Sequence, residues 1–191
     1  MVDLGGRKFA FLVANEGVEQ VELVEPWNAV KRAGGEPVLI APEAATVQAF
    51  NHLEKGDTFT ASIAVGSAHV ADYDGLVLPG GVANPDQLRM KSEAVAFAKS
   101  FVDAAKPIAV ICHGPWTLVE AGVVRNRTLT SWPSLKTDIV NAGGHWVDRE
   151  VQVCEGAENV IVSSRKPDDL DAFCNAALEV FSRPTPAHAA A

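Results

Sequence analysis

Short, almost wholly apolar runs recur along this chain, at residues 8–14 (KFAFLVA), 37–41 (PVLIA), 75–79 (GLVLP) and 108–112 (IAVIC). Each is short for a helix and lacks the apolar–polar alternation of a strand with one wet face. Such runs read as strands buried on both faces, the mark of a parallel sheet. Between them, apolar residues fall at helical spacing over 19–33, 92–105, 113–119, 133–142 and 167–181, and two more strands are expected at 151–154 and 160–163. This alternation predicts an α/β fold: a doubly wound, mostly parallel sheet with helices on both faces. Sites in such sheets lie beyond the carboxyl ends of the strands, which singles out the residues after Ala14, Pro79 and Ile111.

Local signals refine this plan. Pro26 is expected to split the first helical segment in two, because proline suits a first turn better than an interior. Gly34-Gly35 closes that segment. Residues 43–62 read as a hairpin or irregular excursion with Gly56-Asp57 near its turn. Ser92 is a candidate N-cap. Asp168, Asp169 and Asp171 stand near the start of the last helix, where its dipole favours them. Residues 1–183 read as one domain, and 184–191, with two prolines and no apolar periodicity, as a disordered tail.

The chain has 191 residues, a normal size for one domain with a full core. Its formal charge of −8 argues against nucleic-acid or membrane binding by bulk electrostatics. Three cysteines, Cys112, Cys154 and Cys174, form no CxxC pair and cannot all pair with one another, which suggests free thiols in a reducing, cytoplasmic compartment. The N-terminal residues lack the pattern of a secretory signal, and no apolar run approaches membrane-spanning length.

The strongest chemical feature is residues 109–116, AVICHGPW. An apolar strand stops and a Cys-His-Gly-Pro turn enters a helix. A thiol placed there gains from the helix N-terminus in its thiolate form, the nucleophilic one. Cys154 and Cys174 read instead as small buried hydrophobes. His113 is a candidate base. Pro79-Gly80-Gly81 offers backbone donors for an oxyanion, with the amides of Gly81 and His113 the best candidates. Trp116 either walls the site or packs its helix. Of Glu16, Glu19 and Glu22, Glu19 stands where the first strand hands over to a helix; buried, it would stay protonated and donate to the sulfur.

Together these segments resemble the PfpI branch of the ThiJ/PfpI superfamily. The likeness is carried by residues 14–23 (ANEGVEQVEL), 76–81 (LVLPGG), 111–115 (ICHGP), 130–136 (TSWPSLK), 141–143 (NAG) and 163–170 (SSRKPDDL). The resemblance implies a flavodoxin-like fold, akin to class I glutamine amidotransferases, and no cofactor or metal. It implies Cys112 as the reactive cysteine, His113 beside it and Glu19 as the glutamate bonded to the cysteine. It also implies a homodimer or a hexamer. In such hexamers an acidic residue of a neighbouring subunit completes a Cys-His-acid triad; the matching position is Asp86, in a stretch one residue longer than the peptidase's.

Three functional readings follow from the resemblance. The first is a stress-response enzyme acting on reactive aldehydes or glycated adducts, a glyoxalase or deglycase. The second is an intracellular cysteine peptidase acting on proteins or peptides. The third is a redox-sensing stress protein or chaperone. A glutamine amidotransferase is disfavoured, because His145 lacks an acid two residues on.

Overall fold

The computed structural model describes residues 2–156 and 159–184. The chain opens with β1 (Lys8–Leu12), β2 (Glu16–Glu19) and α1 (Gln20–Arg32). Then come β3 (Glu36–Ala41), a hairpin of β4 (Thr46–Asn51) and β5 (Glu54–Thr60), and the short β6 (Ile63–Ala64). β7 (Gly75–Leu78) leads into α2 (Ala83–Arg89) and α3 (Ser92–Asp103), and β8 (Ile108–Ile111) into α4 (Pro115–Glu120). The remainder is β9 (Thr128–Leu129), α5 (Lys136–Asn141), β10 (His145–Trp146), β11 (Val151–Glu155), β12 (Val160–Ser164) and α6 (Leu170–Ser182).

Seven strands form the central sheet in the order β11-β12-β8-β7-β1-β3-β6. Its pairings are parallel except for the antiparallel edge between β11 and β12. This is the expected doubly wound α/β architecture. The pleat divides β1 between two cores: Phe9 and Phe11 face one side, Ala10 and Leu12 the other. On the first side, Phe9 stacks on Phe181 of α6 at 4.5 Å and Phe11 meets Trp27 of α1 edge-on at 5.2 Å. On the second, Phe97 and Phe101 of α3 and Leu118 of α4 pack over Leu76, Leu78 and Val110. Among the described residues no helix is long and apolar enough to cross a membrane.

Several local expectations are corrected. Glu19 ends a strand, β2, rather than starting the helix expected over 19–33, and β2, β4 and β5 make a small sheet of their own. Helix α1 runs unbroken through Pro26. The missing N–H forfeits one backbone bond, but Glu22, Leu23, Pro26, Ala29 and Val30 form one buried stripe, and burial of that face holds the helix together. The hairpin turns at His52, whose φ is +58°, not at Gly56-Asp57. Gly56 lies within β5, where a Cβ would collide with the Gln20 side chain. Ser92 is the first residue of α3 and makes no capping bond. Of the expected tail, Pro184 is extended chain beyond α6 and residues 185–191 lie outside those described.

The packing gives a direct test. Phe181→Ala removes a ring stacked in the core and should cost about 3–5 kcal/mol in urea unfolding. Leu53→Ser, at the hairpin tip where Leu53 is 91% exposed, should shift stability by no more than about 0.5 kcal/mol.

Candidate active site

β8 ends at the middle of the sheet, and the backbone turns at once. Cys112 has φ +61°, a left-handed conformation that costs a non-glycine residue energy unless its surroundings impose it. Two bonds impose it. The Cys112 N–H donates to the Ser164 carbonyl at the end of β12 (3.1 Å), and the Cys112 carbonyl accepts from the Trp132 N–H (2.9 Å). Gly114 must be glycine, since a Cβ there would lie 2.6 Å from the Leu78 carbonyl oxygen. Pro115 then opens α4 with its φ preset. The turn throws the Cys112 side chain out at the carboxyl edge of the sheet, yet the residue is only 6% exposed.

Glu22 lies against it, not Glu19. In the first turn of α1 the Glu22 side chain is fully buried. Its Oε2 accepts from the Gly80 N–H at 2.8 Å, and its carboxyl meets the Cys112 sulfur. Among the described residues Oε1 has no hydrogen-bond partner. Burial, more than any other cause, pushes the Glu22 carboxyl up to about 8. At neutral pH it therefore holds its proton and is a donor. Glu19 is the last residue of β2; its carboxylate accepts the His52 N–H at 3.1 and 3.3 Å and pins the hairpin turn. The assignment of Glu19 to the cysteine is thus corrected to Glu22. The two glutamates are three apart, a spacing that shares a face on a helix, but Glu19 is in a strand and its direction follows the pleat instead.

Opposing forces act on the thiol. Burial raises the Cys112 pKa most, and the nearby Glu22 raises it further; the amides of Gly81 and His113 bond to the sulfur and pull the other way. The helix-terminus advantage expected from sequence is outweighed by desolvation in the resting site. His113 Nδ1 is 3.2 Å from Cys112 Sγ, and its Nε2 is 3.5 Å from Ser134 Oγ. Burial lowers the imidazole to about 4, so it is neutral at neutral pH. The ring stands between Trp132 (5.8 Å, stacked) and Trp116 (5.3 Å, tilted). Trp116 is held by a bond from its Nε1 to Asp138 (2.7 Å) and lies under Arg89.

Gly80 and Gly81 close the site from β7. A Cβ on Gly80 would lie 2.6 Å from the Cys112 Cβ, and Gly81 has φ +85°. Asp86 is exposed on α2, and among the described residues no carboxylate of the same chain bonds to His113. The structure thus brings together Cys112, His113, Gly80, Gly81 and Trp116, and leaves Glu19 and Asp86 apart from them. Glu22 and Trp132 are what sequence reasoning did not select. The signal for Glu22 was its place in the buried stripe with Leu23, Pro26 and Ala29; that for Trp132 was the stretch TSWPSLK. Cys174 lies away from the site, its thiol pushed up to about 12 by burial. No group of three or more His, Cys, Asp or Glu side chains is arranged to hold a metal among the described residues.

A buried cysteine in a left-handed strand-to-helix turn, with backbone donors and a protonated carboxyl around its sulfur, marks a class of α/β proteins built around such a turn. A model of the DJ-1/PfpI family matches residues 7–180, and the chain belongs to that family. It is 40% identical over 166 residues to a Pyrococcus horikoshii protein named a deglycase, covering 87% of this chain and 94% of the relative. It is 36% identical over 182 residues to general stress protein 18 of Bacillus subtilis, covering 93% and 99%. Among solved structures, a two-domain Anabaena variabilis protein with DJ-1/ThiJ/PfpI-like and ferritin-like domains superposes with a TM-score of 0.84 at 26% identity, over 96% of this chain and 52% of that one.

The raised Glu22 pKa predicts a pH dependence. A carboxyl that holds its proton more tightly folded than unfolded stabilises the fold fully below 4.5, its ordinary value, and this contribution is lost as pH rises through about 8. Urea midpoints should fall from pH 5 to pH 8 in the wild type, and less so in Glu22→Gln. Equal slopes in the two proteins would mean that another group titrates.

Proposed function

We propose that this protein is a cofactor-independent enzyme of the stress response that uses Cys112 as a nucleophile on reactive aldehydes or their glycated adducts. The observation that carries this reading is the set of groups converging on one sulfur: two backbone donors, a protonated carboxyl and a neutral imidazole. For a 2-oxoaldehyde the steps are these. His113 accepts the thiol proton as sulfur attacks the aldehyde carbon, and the oxyanion forms against the amides of Gly81 and His113. Glu22 stands ready to protonate that oxygen and to be reprotonated by the proton His113 took from the thiol, giving a hemithioacetal with both side chains again neutral. His113, neutral again, takes the proton from the former aldehyde carbon and returns it to the neighbouring carbon, while the hydroxyl proton passes through Glu22 to the neighbouring carbonyl oxygen; this yields a 2-hydroxy thioester. Water hydrolyses the thioester, releasing the 2-hydroxy acid and the thiol. The neutral state of His113 suits a proton carrier, because a charged imidazolium could not accept. The names of the relatives, a deglycase and a general stress protein, agree with this chemistry.

A peptidase would need an acid to orient His113 and stabilise its charged form. Asp86 is the candidate, presented by a second copy of the chain. On α2 it stands between Val82 and Met90, which are 59% and 80% exposed and four residues to either side, an apolar setting suited to burial between subunits. The same proposal takes residues 1–183 as one domain, working in the cytoplasm as a homo-oligomer on a small aldehyde, or on peptides in the second reading.

Methylglyoxal consumption and lactate formation without glutathione test the first reading. Wild type should turn over, Cys112→Ser should fall to background, and His113→Ala should lose about 10²-fold or more. A folded wild type that makes no lactate from methylglyoxal sinks the aldehyde reading. Asp86→Asn should leave aldehyde turnover unchanged and abolish any peptidase activity.

A further inference from the structure

Asn84 is buried without exposure in α2 and touches neither Cys112 nor His113 by any hydrogen bond. It makes three bonds across the carboxyl edge of the sheet. Its Oδ1 accepts the Ala14 N–H beyond β1 at 2.7 Å. Its Nδ2 donates to the carbonyls of Pro79 at 2.9 Å and Gly80 at 3.1 Å. The partners leave no choice of amide orientation: one side offers a donor, the other two acceptors. The Gly80 carbonyl also accepts the Glu19 N–H at 3.2 Å.

That carbonyl belongs to the peptide whose other end is the Gly81 N–H. No peptide among the described residues is cis, so the two groups point in opposite directions. Holding the carbonyl toward Asn84 and Glu19 aims the Gly81 N–H the other way, toward Cys112, whose Cβ lies 2.6 Å from where a Gly80 Cβ would stand and whose ionised sulfur that N–H favours. A glycine stands on each side of this peptide, and glycine backbones rotate with little steric hindrance. Turned over, the peptide would present an oxygen to the sulfur instead of a donor.

We infer that Asn84 is a positioning residue that locks the Gly80–Gly81 peptide with its N–H facing Cys112, so that the oxyanion donor is in place before substrate arrives. The inference rests on Cys112 acting as the nucleophile. It adds a role for the stretch between Gly81 and Pro85 that is independent of Asp86.

The test is Asn84→Asp, which keeps an acceptor for Ala14 and removes both amide donors. Three readouts are taken: kcat and KM with methylglyoxal, the pH profile of Cys112 alkylation by iodoacetamide followed on the Cys112 peptide by mass spectrometry, and urea stability. Losing a preset oxyanion donor should lower kcat about 10²-fold, with KM within roughly twofold. The alkylation profile should shift to higher pH, because one donor to the sulfur is gone. A folded variant with wild-type kcat and an unmoved alkylation profile overturns the inference and leaves Asn84 a structural tie. If wild type does not turn over methylglyoxal, the aldehyde reading falls while the alkylation profile still decides the role of Asn84. If Asn84→Asp does not fold, the uncharged Asn84→Ser carries the same expectations. Rapid hydrogen exchange of the wild-type Asn84 side-chain amide would also overturn the lock.

Discussion

The site depends on the backbone of one residue. Cys112 keeps its left-handed conformation because β12 holds its N–H and Trp132 holds its carbonyl. β8 lies between β7 and β12 in the sheet order, so the turn is reached from both sides. β7 delivers Gly80 and Gly81, β12 delivers the Ser164 carbonyl, and α1, following β1 and β2, delivers Glu22. A strained residue survives only where its neighbours over-determine it, and four chain segments converging on one turn supply that excess. The result is a thiol at the carboxyl edge of the sheet that remains shielded from water.

Shielding sets the charges. Burial raises both the Glu22 carboxyl and the Cys112 thiol and lowers the His113 imidazole. All three groups are thereby driven toward their neutral forms. The sulfur is thus held as a thiol in the resting site. Glu22 and Cys112 are close enough to titrate as a pair, with protons that belong to the couple rather than to either side chain.

The strands were legible because a segment buried on both faces can hardly carry polar residues. Runs such as IAVIC announce themselves for that reason. The turn at Cys112 was legible because glycine and proline follow it at positions where only they fit. Other features depended on the phase of an element, which a boundary shift of one or two residues changes. Glu19 and Glu22 exchange roles when residues 16–19 become a strand. Gly56-Asp57 looked like a turn, but Gly56 serves a close approach to Gln20 within β5. The actual turn uses His52, whose positive φ is sustained by the distant Glu19 carboxylate. Pro26 weighed against a continuous helix by local rules, and the buried stripe on α1 overrode it. In each case the deciding contact lies far off in sequence, where local patterning carries no information.

The groups around the sulfur and those around the mouth of the site come from different parts of the fold. Glu22, Gly80, Gly81 and Gly114 are fixed by contacts that leave no room: a Cβ at either Gly80 or Gly114 would strike neighbouring backbone or Cys112 itself. The mouth is set by Trp116, Trp132, Ser134 and Arg89, whose contacts are ring faces, a long hydroxyl contact and a surface ion pair with Glu120. Those interactions tolerate exchange far better than the backbone approaches beneath them. The inner set is therefore the constrained part of the site and the outer set the more variable one. Likeness of fold speaks to the inner set; the two tryptophans flanking His113 and the exposed α2 face bearing Asp86 belong to the outer set, where proteins of one fold can differ.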